Sequence, residues 1–526
     1  MRYLLGELQL REVLSSGKIY LGLWPAFSYG NRNIASQTSN RKRRLSMKAR
    51  SLVVAVVLAF VVGFALNAAA EKPFSLDDIP EIKNKNPIHV PLEAGGGSDL
   101  IFPFLQKFSE KTGIKVTKES HVFASLYSKE IVELQGKTGA YDLVVTETSW
   151  TNEWEDYLYP LEELAQKYDP QGVAGLKADL KGHDPGLLRM CSNAAGKLLG
   201  LPYYNYTMMT IYRSDVLEDP QEKANFKKKY GYELAPVKNW KDVRNQAEFF
   251  TRKKGELLKG QPLQEDLYGV SLMAGRFPHV QDELGTMIWG EGAHWASPVR
   301  NASGKLEGFQ ITEKDKKVQN WAFGYYQDLM QFAPPGSENA FWDQATAFFV
   351  AGKTVLVPVM YSGLWNWSAS TEKEIPGAKV ACQPVPGGRP YTGAFHFAPS
   401  RDSKNPEAAY WLLRYIASYG AQLEMAKTGW VSARRDSIMA TDYKNPAMYA
   451  QLGWIPTIVE TWDAQAPDVN NYLHFNSAAF GKLYEVMTIV GHENAIKKRT
   501  PAGSVQEWDK KFSRIQKKFG KLPVVK

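Results

Sequence analysis

The stretch KLLGLPYYNYTMMTIYRSDVL, residues 197–217, constrains the fold more than any other. It is rich in β-branched and aromatic residues and carries few breakers after Pro202, so it reads as strand. Strands in globular proteins usually run about 5–6 residues. A β-rich segment of this length has room for a strand that leaves one compact unit and enters another. A chain of 526 residues is also too long for one ordinary domain.

The flanking pattern is α/β. HVPL reads as a short strand and EAGGGS as a glycine-rich turn. In SDLIFPFLQKFSEKTG the apolar residues Leu100, Ile101, Phe104, Leu105 and Phe108 share one helical face, and Gly113 closes the helix. A second strand begins at Ile114–Val116, and YDLVVTET (141–148) is a third. Further on, NWKDVRNQAEFFTRK, VQNWAFGYYQDLMQF and PEAAYWLLRYIAS are amphipathic helices, and FWDQATAFFVAGKTVLVPV is a helix followed by a strand. Strands alternating with helices imply α/β sheets.

The formal charge of +9 suggests nucleic-acid or membrane partners, but its source is local. Residues 47–70, MKARSLVVAVVLAFVVGFALNAAA, have a basic start, an apolar centre of about 15 residues and a small-residue end. This is the pattern of a cleaved secretory signal, too short to span a bilayer. Residues 1–46 read as an upstream extension that is not native, with Met47 as the start. The first 70 residues hold 10 of the 64 basic and 2 of the 55 acidic residues, so the remainder has a net charge of +1. No nucleic-acid partner is expected. Cys191 and Cys382 cannot form a Cys-based zinc site alone, and a disulfide between them stays open.

The order of motifs resembles the extracellular solute-binding proteins of ATP-binding-cassette importers, in the family that includes maltose-binding protein. FLQKFSEKTGIKVT is similar to that family's helix-then-strand opening. GKLLGLPYYNYTMMTIYRSDVL is similar to its first lobe crossing, NWKDV to the helix start after it, AFFVAGKTVLVPVMYSGLWNW to its "F-x-x-G-K … G-x-W" block, and SKNPEAAYWLLRYIAS to the helix after the return crossing. The resemblance implies a type II periplasmic binding protein fold, with two mixed-sheet α/β lobes joined by hinge crossings around a cleft. It places lobe 1 at 71–203 and 394–433, and lobe 2 at 204–393 and 434–526. It implies a secreted monomer, without cofactor or metal, that passes a sugar, small oligosaccharide or polyol to a membrane permease.

The site expectations follow from that frame and from the rule that ligands sit beyond the carboxyl ends of strands. Trp365 is the family's "G-x-W" tryptophan, either a stacking platform for a sugar face or a core residue. If the local chain is extended, Trp367 points the other way, and Ser362 and Gly363 lie beside them. Gly97 and Ser98 offer backbone N–H groups and a hydroxyl, or are simply a tight turn. Ser149 and Trp150 follow the third strand. Tyr203, Tyr204 and Asn205 lie at the first crossing, where maltose-binding protein has a carboxylate. Trp289 and Glu291 belong to a loop after a lobe-two helix. Gly393 and His396 sit at the return crossing. Arg434 either forks onto hydroxyls or a carboxylate, or makes a salt bridge within a lobe.

Two other readings stay open. A polyamine site needs acidic residues beside aromatic rings, and a ferric site favours adjacent tyrosines such as Tyr203-Tyr204 or Tyr325-Tyr326. A secreted glycoside hydrolase needs two carboxylates facing each other across the cleft. Glu147, Glu153 and Glu291 are available, but no motif pairs them.

Overall fold

The computed structural model describes residues 72–94, 96–465 and 471–525. The expected extension at 1–46 and leader at 47–70 lie outside the described residues. Residues Pro73–Lys526 form one compact unit.

The unit opens with β1 (Ile88–Glu93), the helix Gly96–Thr112, β2 (Val116–His121), the helix Phe123–Gly136 and β3 (Leu143–Glu147). β1 and β2 run parallel. The expected EAGGGS turn is shorter than the glycines suggested, because the helix already begins at Gly96. Next come β4 (Leu201–Asn205) and β5 (Met208–Arg213), then a small hairpin of β6 (Leu257–Leu258) and β7 (Gln261–Pro262), and β8 (Tyr268–Val270). β9 (Ser297–Arg300) and β10 (Leu306–Gln310) pair antiparallel. β11 (Thr354–Tyr361), β12 (Val380–Gln383) and β13 (Ala394–Pro399) complete the strands.

Two central sheets result, with orders β3-β13-β4 and β12-β5-β11-β8. β1 lies alongside the first, since the Asp142 N–H donates to the His89 carbonyl at 3.0 Å and the His89 N–H donates to the Asp142 carboxylate at 2.9 Å. The second sheet is mixed: β11 is parallel to β8 and antiparallel to β5. The caps explain where several helices begin. Asn239 accepts from the Asp242 N–H at 3.0 Å ahead of Trp240–Phe250, Thr312 and Asp315 form a capping box ahead of Glu313–Leu329, and Asn405 precedes Pro406–Ile416 with proline in the first turn.

The long β-rich segment does run from one sheet to the other. β4 belongs to the first sheet and β5 to the second, with only Tyr206 and Thr207 between them. β4 stays in its sheet as far as Asn205, two residues beyond the expected lobe boundary. The chain returns between β12 and β13. The two crossings lie side by side: the Tyr206 N–H donates to the Gly393 carbonyl and the Met208 N–H to the Tyr391 carbonyl, both at 3.1 Å. A third segment joins them at Val431 and Ser432, whose carbonyls accept from the Asn205 side-chain amide at 3.3 and 2.7 Å.

Arg434, just beyond, is locked into a lobe. Its guanidinium meets Asp179 at 2.7 Å and Asp436 at 2.8 Å, and Arg414 reaches the same Asp179 at 3.6 Å and also pairs with Asp169. Arg434, Asp179 and Arg414 are all nearly solvent-free. Of the two roles open to Arg434, it is the salt bridge that is seen: its guanidinium is spent on carboxylates of its own chain. Cys191 and Cys382 are free thiols, so no disulfide links them. Removing one member of a buried ion network leaves its partner unpaired, at a cost of about 3–5 kcal/mol. Arg434→Met is therefore expected to lower unfolding stability in urea by about 3 kcal/mol, the low end because Arg414 still reaches Asp179.

Candidate functional site

The carboxyl ends of three strands converge between the two sheets. Glu93 is the last residue of β1, Glu147 of β3 and Tyr361 of β11, and all three line one cavity of about 410 Å³. Its floor is a row across the first sheet. Phe395 is in register with Glu147 on one side and with Tyr204 on the other, so the three side chains share a face. The second sheet contributes Tyr361 and the following Gly363 and Leu364. The helix His279–Gly290 contributes His279 and Asp282, the helix Trp342–Val350 contributes Trp342, and the helix Phe480–Ala495 contributes Tyr484. Tyr206, Tyr391 and Trp430 come from the crossing segments.

The rings are packed against one another. Tyr204 lies 4.4 Å from Trp430 and stacks on Phe395 at 6.1 Å, and Tyr206 stacks on Tyr391 at 6.1 Å. Trp342 differs from the others: it is 39% exposed. It is the cavity ring most open to contact from solvent.

Two carboxyls are held by tyrosines from different elements. Tyr391 donates to Glu147 at 2.9 Å, Tyr206 donates to the same oxygen, and the Ser149 N–H and hydroxyl donate to the other one. Asp282 accepts from Tyr361 and, at 3.0 Å, from Tyr484. Burial, with Glu147 and Glu283 nearby, pushes Asp282 well above the usual carboxylate range despite those donors. Burial also lifts Glu93 to about 7 and lowers His279 to about 3, so His279 is neutral.

Of the residues expected at the site, Tyr203, Tyr204 and Gly363 line the cavity. Gly363 has a steric reason to be glycine, because a Cβ there would collide with the Tyr204 hydroxyl. Gly393 is a packing glycine whose Cβ would strike the Tyr206 ring. Ser149 and Trp150 stand one layer back: Ser149 holds Glu147, and Trp150 stacks behind Phe123 at 5.8 Å. Trp289 stacks behind Tyr391 at 6.3 Å, and Glu291 is an exposed C-cap. Asn205 binds the third crossing, and His396 is fully buried against Thr151. Gly97 and Ser98 fall in the first turn of Gly96–Thr112.

Trp365 is placed otherwise than as a stacking platform. It is 1% exposed, and its indole N–H donates to the Tyr449 carbonyl at 3.1 Å. Ser362–Leu364 is a 3₁₀ turn and Trp365–Ala369 a short helix, so the extended geometry assumed for Trp365 and Trp367 does not hold. Ser362 is buried with Trp365, while Trp367 is 38% exposed. Glu93, Glu147 and Tyr361 fall within two residues of the strand ends read from the sequence, at Leu92, Thr148 and Val359, but the observed strands end on them.

Residues 91–423 match the sequence profile of the bacterial extracellular solute-binding proteins, well over half of the chain. The chain belongs to this family. No relative is found among curated proteins. The binding protein's fold is shared with solved structures at low identity. One is an ABC transporter solute-binding protein from Agrobacterium radiobacter K84 in complex with ribitol, with a TM-score of 0.62 and 17% identity over 84% of this chain and 100% of that one. Another is maltose-bound MalE3 of T. maritima, with a TM-score of 0.60 and 16% identity over 82% and 100%. A third, from Agrobacterium vitis S4 with bound D-mannitol, has a TM-score of 0.59 and 19% identity over 82% and 99%. Among the described residues of the binding protein, no helix is long and apolar enough to cross a membrane.

The buried titratable groups set a pH window. His183, His279 and His396 are each lowered to about 3 by burial, and His474 lies well below its ordinary value. The unfolded chain takes up these protons first, so their contribution to stability is lost as pH falls from about 6.5 toward 3. Glu93 and Glu283 are raised to about 7 and about 8, and Glu130 and Asp282 well above the usual range. Here the folded state holds the protons, so stability is lost as pH rises from about 4.5 through 8. The two sets oppose each other between about pH 4.5 and 6.5. Scanning calorimetry of the ligand-free protein should therefore show a melting plateau there and a decline on both sides.

Proposed function

We propose that this protein is the secreted solute-binding component of an ATP-binding-cassette importer. It captures a sugar, a small oligosaccharide or a polyol and delivers it to a membrane permease. The observation that carries the reading is the cavity between the sheets, walled by aromatic rings and hydrogen-bonding oxygens. A sugar or polyol offers C–H faces to the rings and hydroxyls to the oxygens. The ribitol, mannitol and maltose in the three structures above support the same ligand class. A volume of about 410 Å³ lies near the low end of small-molecule sites, about 300–1,000 Å³, and so favours a compact ligand over a long oligosaccharide.

Within this reading residues 47–70 direct export and are removed, and the mature protein works as a monomer in the periplasm. The lobes meet at Tyr206-Thr207, at the return before β13 and at Val431–Ser432, and closure there brings the two sheets onto the solute. No catalytic step is involved. Glu147 is clamped by two tyrosines and Ser149, which suits a fixed acceptor more than a nucleophile.

A thermal-shift screen of ribitol, mannitol, maltose and simple hexoses tests the ligand class. A true ligand at about 100 times its dissociation constant adds about 2.7 kcal/mol of stability. Trp342→Ala should weaken that ligand about 10- to 30-fold by titration calorimetry, since about 1.4–2 kcal/mol of ring burial is removed. The melting temperature of the free protein should fall only modestly, because 39% of Trp342 is already exposed to solvent.

A further inference from the structure

With its carboxyls ionised, the polar groups of the cavity share one hydrogen-bonding sense. Glu93, Glu147 and Asp282 bring three carboxyls to its wall, and among the described residues no Lys or Arg reaches it. Tyr206 and Tyr391 direct their protons to Glu147, and Tyr361 and Tyr484 direct theirs to Asp282. A phenol has a single proton, so these hydroxyls turn lone pairs toward anything that enters.

His279 extends the pattern. Its Nδ1 lies 2.8 Å from the Tyr361 oxygen. With Asp282 ionised, Tyr361 donates to it, Nδ1–H donates to Tyr361 and Nε2 carries the lone pair. His279 is 8% exposed, and its Nε2 has no partner among the described residues. The Glu93 carboxyl, at the cavity wall, likewise has no hydrogen bond or ion pair among them.

We propose that the cavity selects a polyhydroxylated solute carrying a protonated amine, an amino sugar or amino polyol, with the ammonium group beside Glu93, the cavity carboxyl that no tyrosine hydroxyl holds. Hydroxyls satisfy the acceptors that tyrosines hold, but only a cation offsets the charge of an ionised Glu93. Tyr204, Trp430 and Phe395 line the same cavity, and an aromatic ring face attracts a cation. Burial raises Glu93 and Asp282 toward their neutral forms in the empty cavity, and an incoming ammonium favours the charged ones. The inference rests on the sugar-or-polyol reading and narrows it.

The test compares matched pairs by titration calorimetry on the full mature protein: sorbitol against 1-amino-1-deoxysorbitol, and glucose against glucosamine, with putrescine as an amine without hydroxyls. The expected result is at least tenfold tighter binding of the amine in one pair or both, weakening as salt is added. In Glu93→Gln that preference should shrink, with the ligand-free melting temperature as the check on folding. If this variant does not fold, the wild-type pairs decide alone. A neutral twin that binds as tightly as its amine, or an equal loss of both in Glu93→Gln, overturns the inference and leaves the polyol reading standing. Putrescine binding more tightly than every hydroxylated probe, or no binding by any of them, overturns both.

Discussion

Glu147 is the carboxylate on which the arrangement of the site depends. It ends a buried strand of the first sheet, yet its hydrogen bonds come from elsewhere: Tyr206 in the first crossing, Tyr391 in the return and Ser149 just beyond its own strand. The protein holds a buried acceptor by bringing donors from separate parts of the chain to it, which also fixes both crossings relative to the sheet. A buried carboxylate without such donors would be costly. The same contacts leave Tyr206 and Tyr391 stacked and set the end of the floor row that runs through Phe395 to Tyr204. Asp282, with Tyr361 and Tyr484, repeats the device on the opposite wall.

This explains why the cavity is both aromatic and acidic. Glu147 and Asp282 each accept from two tyrosine hydroxyls, and the rings of those tyrosines line the space. The ring faces line the space and the hydroxyls turn to the carboxyls. A solute must then cover rings and satisfy acceptors together, which neither an apolar ligand nor an anion does. Residues behind the wall hold it in position: Trp150 supports Phe123, Trp289 supports Tyr391, and Gly363 and Gly393 leave room for Tyr204 and Tyr206.

Much of the fold is legible in the sequence because its signals are local. Helical periodicity, asparagine and threonine caps and the apolar runs of β3 and β11 all lie within a few residues of the structure they specify. The long crossing is also readable, since a β-rich stretch that exceeds one strand has to continue somewhere. The site is less legible because its decisive partners are distant. Trp365 is claimed by a carbonyl 84 residues away, and Asn205 by carbonyls 226 and 227 residues away. Nothing local distinguishes Tyr361, Tyr391 and Tyr484 among the 26 tyrosines of the chain. The WNW motif looks like a binding motif because its rings are large, but a short helix turns Trp365 inward. Trp342 opens a helix in a segment that reads only as a helix before a strand.

The central claim is that the solute sits between the two sheets against the Glu147–Phe395–Tyr204 row. A crystal structure of the mature protein, grown with whichever sugar, polyol or amine raises its melting temperature most, tests this most directly. The account predicts ligand density in contact with Tyr204, Trp430 and Trp342, with polar atoms directed at Glu93 and Asp282. Density at another surface, with this cavity closed by its own side chains, would contradict it.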